Sequence, residues 1–398
     1  MLSISEALVS ISKALRPVGI EAVQLDAAFG RVCAQNVSAL LDAPPFAASA
    51  MDGYAVRFAD IADDTSPLAC LDVVKAGDRD VAPLAPGTCA RIFTGAPIPP
   101  GADTVVLQEQ ARSEGGAVSF LAGIERYRHI RAAGSNFRAG DVTAHAGRRL
   151  TARDIGLLAA SGHNTLRVHR RPQAAILSTG DELSSRFRAG EGAQILDANR
   201  PALTALVAAW GGKPIDLGIA PDRPDALVHA LDGVQADLLI VTGGASVGTF
   251  DLVRPALERL GFSASFRKIR MRPGKATMFG VLAGLPVLSL PGNAVAALVS
   301  ALVFLKPTLS ALAGLGFEEV PRDCAVLAAP LSAVGPRDTF LRGRLDRGAD
   351  GRPTFTAMAM QDTAMLLGLA KAHALTIRPA NAPPAQPGEM IEVIRFDR

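Results

Sequence analysis

The sequence predicts an α/β multidomain protein, with one doubly wound, mostly parallel α/β domain and smaller β-rich domains attached to it. Three features predict this. From Pro172 onward, short apolar runs alternate with helical stretches, the βα pattern that folds into a parallel sheet through right-handed crossovers. Two flanking regions, 58–135 and 320–398, instead carry short strands between Pro and Gly turns, as small antiparallel or barrel-like units do. A chain of 398 residues also exceeds one hydrophobic core, at roughly 100–200 residues per domain. The expected divisions are 1–40 with 139–171 (an N-terminal helical and linker domain), 41–138 (an inserted β-rich domain), 172–315 (the α/β domain) and 316–398 (a C-terminal β-domain).

Taken in order, Met1–Arg16 reads as an amphipathic helix with Leu8, Ile11 and Leu15 on one face. It lacks the continuous apolar segment of a secretion signal. Pro44 and Pro45 force extended backbone, and Asp52-Gly53 is a turn before a strand at Tyr54–Arg57. Short strands follow at Leu71–Lys75, Cys89–Phe93, Thr104–Gln108 and Val118–Phe120. Thr151 is a plausible cap for a helix ending before Gly162. In the α/β region the expected strands are 174–178, Ile215–Ile219, Leu238–Val241 and Pro286–Leu290, and Phe262–Lys268 precedes a turn at Arg270–Lys275. The helices between them are Asn199–Trp210, Asp225–Leu231, Val253–Leu260 and Val295–Phe304. Strands at Cys324–Leu327, Thr339–Arg344, Pro353–Thr356, Ala374–Ile377 and Met390–Ile394 complete the C-terminal domain.

Composition excludes several classes. A net charge of only +3 implies neither a nucleic-acid nor a membrane surface. No continuous apolar run approaches the roughly 20 residues that span a bilayer. Cys33, Cys70, Cys89 and Cys324 are too scattered for a disulfide framework or a zinc site, so a cytoplasmic location is expected.

The chemistry concentrates at strand ends. Loops leaving strand ends 178, 241 and 290 contain glycine and are expected on one edge of the sheet, where α/β proteins bind ligands. Thr242-Gly243-Gly244-Ala245-Ser246-Val247-Gly248 matches neither the phosphate loop of nucleotide triphosphatases nor the dinucleotide fingerprint. It is either an anion loop or a tight structural turn. Asp181, Glu182, Asp222 and Asp251 supply carboxylates, and all-oxygen ligation favours Mg²⁺. Lys268, Arg270, Arg272 and Lys275 supply countercharge for an oxyanion. The chain holds only seven lysines among 41 basic residues, so two of them within eight residues form a noticeable cluster. Thr94-Gly95 sits at a strand end, where its hydroxyl either meets a ligand or caps a turn. No nucleophile elbow surrounds Ser178 or Ser246.

The motifs Ser49-Ala-Met-Asp-Gly-Tyr-Ala-Val56, Thr94-Gly-Ala-Pro-Ile-Pro-Pro-Gly-Ala-Asp103, Ser178-Thr-Gly-Asp-Glu-Leu183, Thr242-Gly-Gly-Ala-Ser-Val-Gly248, Arg272-Pro-Gly-Lys275 and Leu290-Pro-Gly-Asn293 occur in this order. Together they resemble the molybdopterin molybdenumtransferase family nearly end to end. The resemblance implies an elongated, homodimeric, four-domain enzyme of molybdenum cofactor biosynthesis, with a molybdopterin-binding α/β domain. It implies that molybdate is inserted into adenylylated molybdopterin with release of AMP, with Mg²⁺ as the metal. Carried over residue by residue, it implies catalytic roles for Asp52, Glu182, Asp222 and Asp251, the last three also as metal ligands. It further implies substrate contacts from Thr94, Thr179, Gly180, Asp181, Gly243, Gly244, Ser246, Gly248, Lys268, Arg272, Lys275, Pro291, Gly292, Asn293, Arg342 and Thr363. Lys268, Arg272 and Arg342 are expected to hold molybdate, and Asp52 and Thr94 to reach the site across the dimer.

Asn136, Thr249, Ala294 and Leu367-Gly368 depart from the family pattern. Two alternatives remain at this stage: adenylylation of the pterin, and a non-catalytic molybdopterin carrier.

Overall fold

The computed structural model describes residues 1–62, 66–186, 194–243 and 253–396. Its centre is a six-stranded sheet in the order Lys213–Ala220, Gln173–Thr179, Leu238–Thr242, Leu285–Leu290, Met278–Leu282, Phe262–Phe266. The first four strands are parallel and the last two antiparallel. Both faces are covered, which explains the unbroken apolar run at 238–241. Leu238 and Ile240 enter one core with Ile176, Leu203 and Leu288, while Leu239 and Val241 enter the opposite core with Leu177, Leu227 and Leu257.

Two elements differ from expectation in this domain. Met278–Leu282 is a strand with no counterpart in the sequence reading. Its central Gly280 hides the pattern, and pairing to both Phe262–Phe266 and Leu285–Leu290 supplies what local propensity does not. The last helix begins at Ala294 and continues past Pro307 to Leu312. A π-helical stretch at Ala301–Leu305 absorbs the proline, which has no N–H for the helix ladder. The Thr308 hydroxyl donates to the Phe304 carbonyl (2.7 Å) beside it. This 19-residue helix is long and apolar enough to cross a membrane by composition, a feature the count of continuous apolar residues did not register. Its most apolar window is 83% buried within the protein, as the core helix of a globular domain is.

The N-terminal helix Ile4–Ala14 begins with a capping box: the Ser3 hydroxyl accepts from the Glu6 N–H, and the Glu6 carboxylate accepts from the Ser3 N–H. Its apolar face, Ala7, Leu8 and Ile11, joins the α/β core. The expected division groups this helix with the linker domain, whereas its apolar face packs on the α/β core. Burying that stripe in the core that holds Phe266 and Ile269 removes its apolar area from water. That domain itself is a three-stranded sheet of Ile20–Gln24, Thr165–His169 and Val32–Cys33, with helix Ala152–Ala160 capped by Thr151 as expected.

The inserted domain is a six-stranded sheet in the order Thr104–Leu107, Gly53–Val56, Thr88–Ile92, Leu68–Val74, Ala117–Phe120, Ala111–Glu114. The C-terminal domain closes on itself. Asp338–Arg347 pairs with both Pro353–Ala357 and Ala374–Arg378, and Asp323–Leu327 and Met390–Arg395 complete the ring. One pairing crosses domains: Met271-Arg272 of the α/β domain lies parallel to Asp338-Thr339 of the barrel. That graft fixes the loop after Arg272 against the barrel.

Candidate functional site

The carboxyl ends of the three central parallel strands lie together, as expected: Ser178 is level with Thr242, and Thr242 with Leu290. Thr242 hydrogen-bonds the Pro291 carbonyl (3.2 Å). Asn199, at the start of helix Asn199–Ala209, donates to the Thr242 hydroxyl (2.9 Å) and the Gly292 carbonyl (2.7 Å). Gly243 has φ 96°, and a Cβ there would stand 2.1 Å from the Thr179 carbonyl oxygen, so only glycine permits this strand exit. Among the described residues, Ser178 Oγ, Thr179 Oγ1, Ser289 Oγ, Asn199 Oδ1 and Asp222 Oδ1 are buried without a hydrogen-bond partner. Each such orphan costs on the order of 1–3 kcal/mol, so their concentration at one sheet edge marks a binding edge.

Acids gather beside it. The Asp222 N–H donates to the Asp181 carboxylate (3.1 Å). The Glu182 carboxylate folds over Gly180, where an added Cβ would meet its Oε2 at 2.5 Å. Burial first, then the negative charges of Asp181 and Glu182, push the Asp222 carboxyl above its ordinary value. An unpaired buried carboxylate oxygen among like charges has the chemistry of a hard-cation ligand. Among the described residues, however, no three His, Cys, Asp or Glu side chains converge as a ready-made metal site. Gly244, Ser246, Gly248 and Asp251 lie outside the described residues.

Cations line a separate wall. A cleft of about 870 Å³ opens between the α/β domain and the C-terminal barrel. Arg272, Lys275, Pro291 and Asn293 line it from one side, and Arg337, Gln361 and Thr363 from the other. Two bonds close the back of this cleft: Asn293 Nδ2 donates to Thr363 Oγ1 (3.0 Å), and the Val295 N–H to the Thr363 carbonyl (3.3 Å). Lys268 is exposed and outside the lining, although the Ile269 N–H to Lys275 carbonyl bond (3.1 Å) ties its loop to that wall.

Arg342 differs from expectation. Its side chain is 2% exposed and its guanidinium turns inward. It donates to the Met365 (3.0 Å), Met360 (3.2 Å) and Asp362 (2.9 Å) carbonyls. Gln361 completes the clamp, accepting from the Arg342 N–H (3.0 Å) and donating to the Arg342 and Met358 carbonyls (2.8 Å each). Arg342 thus shapes the loop that carries Gln361 and Thr363 instead of presenting a free charge to the cleft. The family resemblance implies a molybdate contact for Arg342; in this structure three of its five N–H donors are spent on loop carbonyls.

Asp52 and Thr94 form a compact pair on the inserted domain. The Asp52 carboxylate accepts from the Thr94 N–H and hydroxyl (2.8 Å each). Those two bonds, first the backbone one, hold its carboxyl below the usual range, with Arg91 adding to the effect. Neither residue lines the cleft.

Three family models tile this architecture. The MoeA N-terminal region (domain I and II) matches residues 2–162, the probable molybdopterin binding domain 175–311, and the MoeA C-terminal region (domain IV) 324–396. A molybdopterin molybdenumtransferase of Nostoc sp. is 38% identical over 370 residues, covering 90% of this chain and 85% of its own. The chain belongs to the molybdopterin molybdenumtransferase family. A further member, from Haemophilus influenzae, is 31% identical over 96% of this chain and 95% of its own. The solved structure of a molybdopterin biosynthesis MoeA protein from Pyrococcus horikoshii matches with a TM-score of 0.86 at 27% identity, covering 100% of this chain and 99% of that one.

Within this molybdenumtransferase fold, the residues singled out from sequence fall into three groups. Thr179, Gly180, Asp181, Glu182, Asp222, Gly243 and Gly292 gather at the sheet edge. Arg272, Lys275, Pro291, Asn293 and Thr363 line the cleft. Asp52 and Thr94 stand apart. Sequence reading missed Asn199, Gln361 and Arg337. Asn199 had a local signal, since Asp197 two residues earlier accepts from the Asn199 and Arg200 N–H groups (3.1 Å each) and starts the helix. Gln361 and Arg337 had none, because only barrel closure brings them to the cleft.

Proposed function

We propose that this chain inserts molybdenum from molybdate into adenylylated molybdopterin, releasing AMP, as a step of molybdenum cofactor biosynthesis. The observation that carries this reading is the pairing of an acidic sheet edge with a cationic cleft. The two adjoin through the Pro291–Asn293 loop, since Gly292 packs on Gly243 while Asn293 faces the cleft. The substrate is an anion at several points: a phosphoanhydride, a dithiolene and an oxo-metal anion. Glycine-lined strand exits admit a nucleotide-linked pterin close to backbone N–H groups, and the orphaned hydroxyls of Ser178, Thr179 and Ser289 offer it polar contacts.

Glu182 and Asp222, with Asp251, would hold Mg²⁺; the oxygen-only donor set and the uncompensated charge on Asp222 fit a hard cation. When bound, the ion neutralises phosphate charge and orients the anhydride. Arg272 and Lys275 make the local potential positive, which attracts molybdate and retains the tetrahedral anion near the anhydride. Water, or a molybdate oxygen, attacks the anhydride and AMP departs; the two dithiolene sulfurs displace an oxo ligand of molybdate, which leaves as water with two protons. Asp52, held ionised by Thr94, would complete the site from a second copy, which makes the working form a homodimer. A cytoplasmic location fits four unpaired cysteines.

The test is AMP release from adenylylated molybdopterin, with and without molybdate and Mg²⁺. Release that requires both supports the reading. Pyrophosphate release from molybdopterin and ATP would replace it with adenylylation, and binding without any turnover would replace it with a carrier role.

A further inference from the structure

The cleft contains one cation whose role nothing above explains. Arg337 precedes the barrel strand Asp338–Arg347 and lines the cleft opposite Lys275. Its position follows from the interdomain graft: Arg272 pairs with Thr339, and the Asp338 N–H donates to the Arg270 carbonyl (3.1 Å). Arg337 is thereby carried to the same opening as Arg272. Among the described residues, none of Arg272, Lys275 and Arg337 has an ion-pair partner. The neighbouring carboxylate does not serve it. Asp338 turns to the other side of the strand, where it accepts from the Ala380 N–H (2.9 Å) and lines a different, smaller cavity. Asp362 is the single carboxylate in the lining, and its Oδ1 accepts from the Ala364 N–H (2.8 Å).

Among the described residues the lining thus holds three cations from two domains and one carboxylate, and like charges that share one opening favour the entry of an anion. Elsewhere folding brings opposite charges together, as in Arg170 with Asp237 and Arg259 with Asp225. The converse arrangement here is the electrostatic form of an anion site, and an Arg fork adds directional donors to the point charge of Lys275.

We propose that Arg337 is a further direct ligand of the oxyanion substrate, joining Arg272 and Lys275 from the barrel side of the cleft. This rests on the reading of the cleft as the molybdate side of the site. The chemistry named is a tetrahedral dianion, and two sources compete for it: molybdate and the phosphate of the nucleotide.

The experiment uses the full chain with Arg337→Gln, which removes the charge at a half-exposed position without opening a cavity. Molybdate alone and AMP alone are titrated separately into wild type and variant by calorimetry. Loss of one charge-assisted contact predicts molybdate binding about tenfold weaker, with AMP affinity within about twofold of wild type. Arg337→Lys is expected to recover most of the loss. Unchanged molybdate affinity in Arg337→Gln overturns the proposal, as does an equal loss for AMP or the absence of molybdate binding to wild type. Because the titration needs no turnover, a wild-type chain that releases no AMP would sink the functional reading while the titration still decides the role of Arg337.

Discussion

Replacing Arg342 by lysine separates a shaping role from a ligand role. The wild-type guanidinium gives three hydrogen bonds to the carbonyls of Met360, Asp362 and Met365 from a side chain 2% exposed. A lysine ammonium reaches one of these at most in the same pocket, because it is a point donor without the planar fork. Two carbonyls then lose a charged donor, at about 1–1.5 kcal/mol each after partial relaxation, for a total of roughly 2–3 kcal/mol. For a protein of this size that lowers the midpoint of thermal unfolding by about 2–4 °C. Differential scanning calorimetry reads it directly, and limited proteolysis should cut first within 358–366, the loop that the clamp holds. The reasoning fails if the midpoint of Arg342→Lys stays within about 1 °C of wild type while its molybdate affinity collapses. That pattern would mean the side chain faces the substrate.

Other outcomes follow from the same geometry. Glu182→Gln should abolish AMP release while pterin binding stays nearly intact, measured by turnover and equilibrium binding; unchanged turnover removes Glu182 from the chemistry. Asp222→Asn should lose metal-dependent turnover yet unfold at higher temperature near neutral pH. The sign follows from its raised carboxyl value: the native state binds the proton more tightly than the unfolded state, so its destabilising contribution is absent at pH below the unfolded value. The contribution grows as pH rises through the folded value, and calorimetry of wild type and variant at acid and neutral pH should show the gap opening upward. Gly243→Ala should fold poorly or lose activity by orders of magnitude, since its Cβ would overlap the Thr179 carbonyl; near-normal turnover would show that the strand exit can shift. Among the thiols, exposed Cys324 should alkylate first at mildly alkaline pH, half-buried Cys70 later, and Cys89 last, since its thiol is buried and pushed up to about 12 by burial and then by Cys70. Peptide mass spectrometry gives the order.

The residues that need no tertiary partner to reveal themselves were legible in the chain. Alternation of 238–241 between two cores appears as a continuous apolar run, and that run with its glycine exit located the binding edge. Ser3 and Thr151 announced their helices because a cap acts within one turn. The family motifs, being local strings, carried the assignment end to end. Tertiary structure decided the rest, for a definable reason: a contact between distant segments leaves no periodic trace in either. The docking of Ile4–Ala14 on the α/β core, the strand at Met278–Leu282 and the passage of a helix through Pro307 all depend on what packs against them. So does the direction of an arginine. Sequence could place Arg342 on a strand beside the cleft, but the carbonyls that turn it inward come from a loop about twenty residues away. The same closure of the barrel brought Arg337, unremarkable in the sequence, to face Arg272 across the opening.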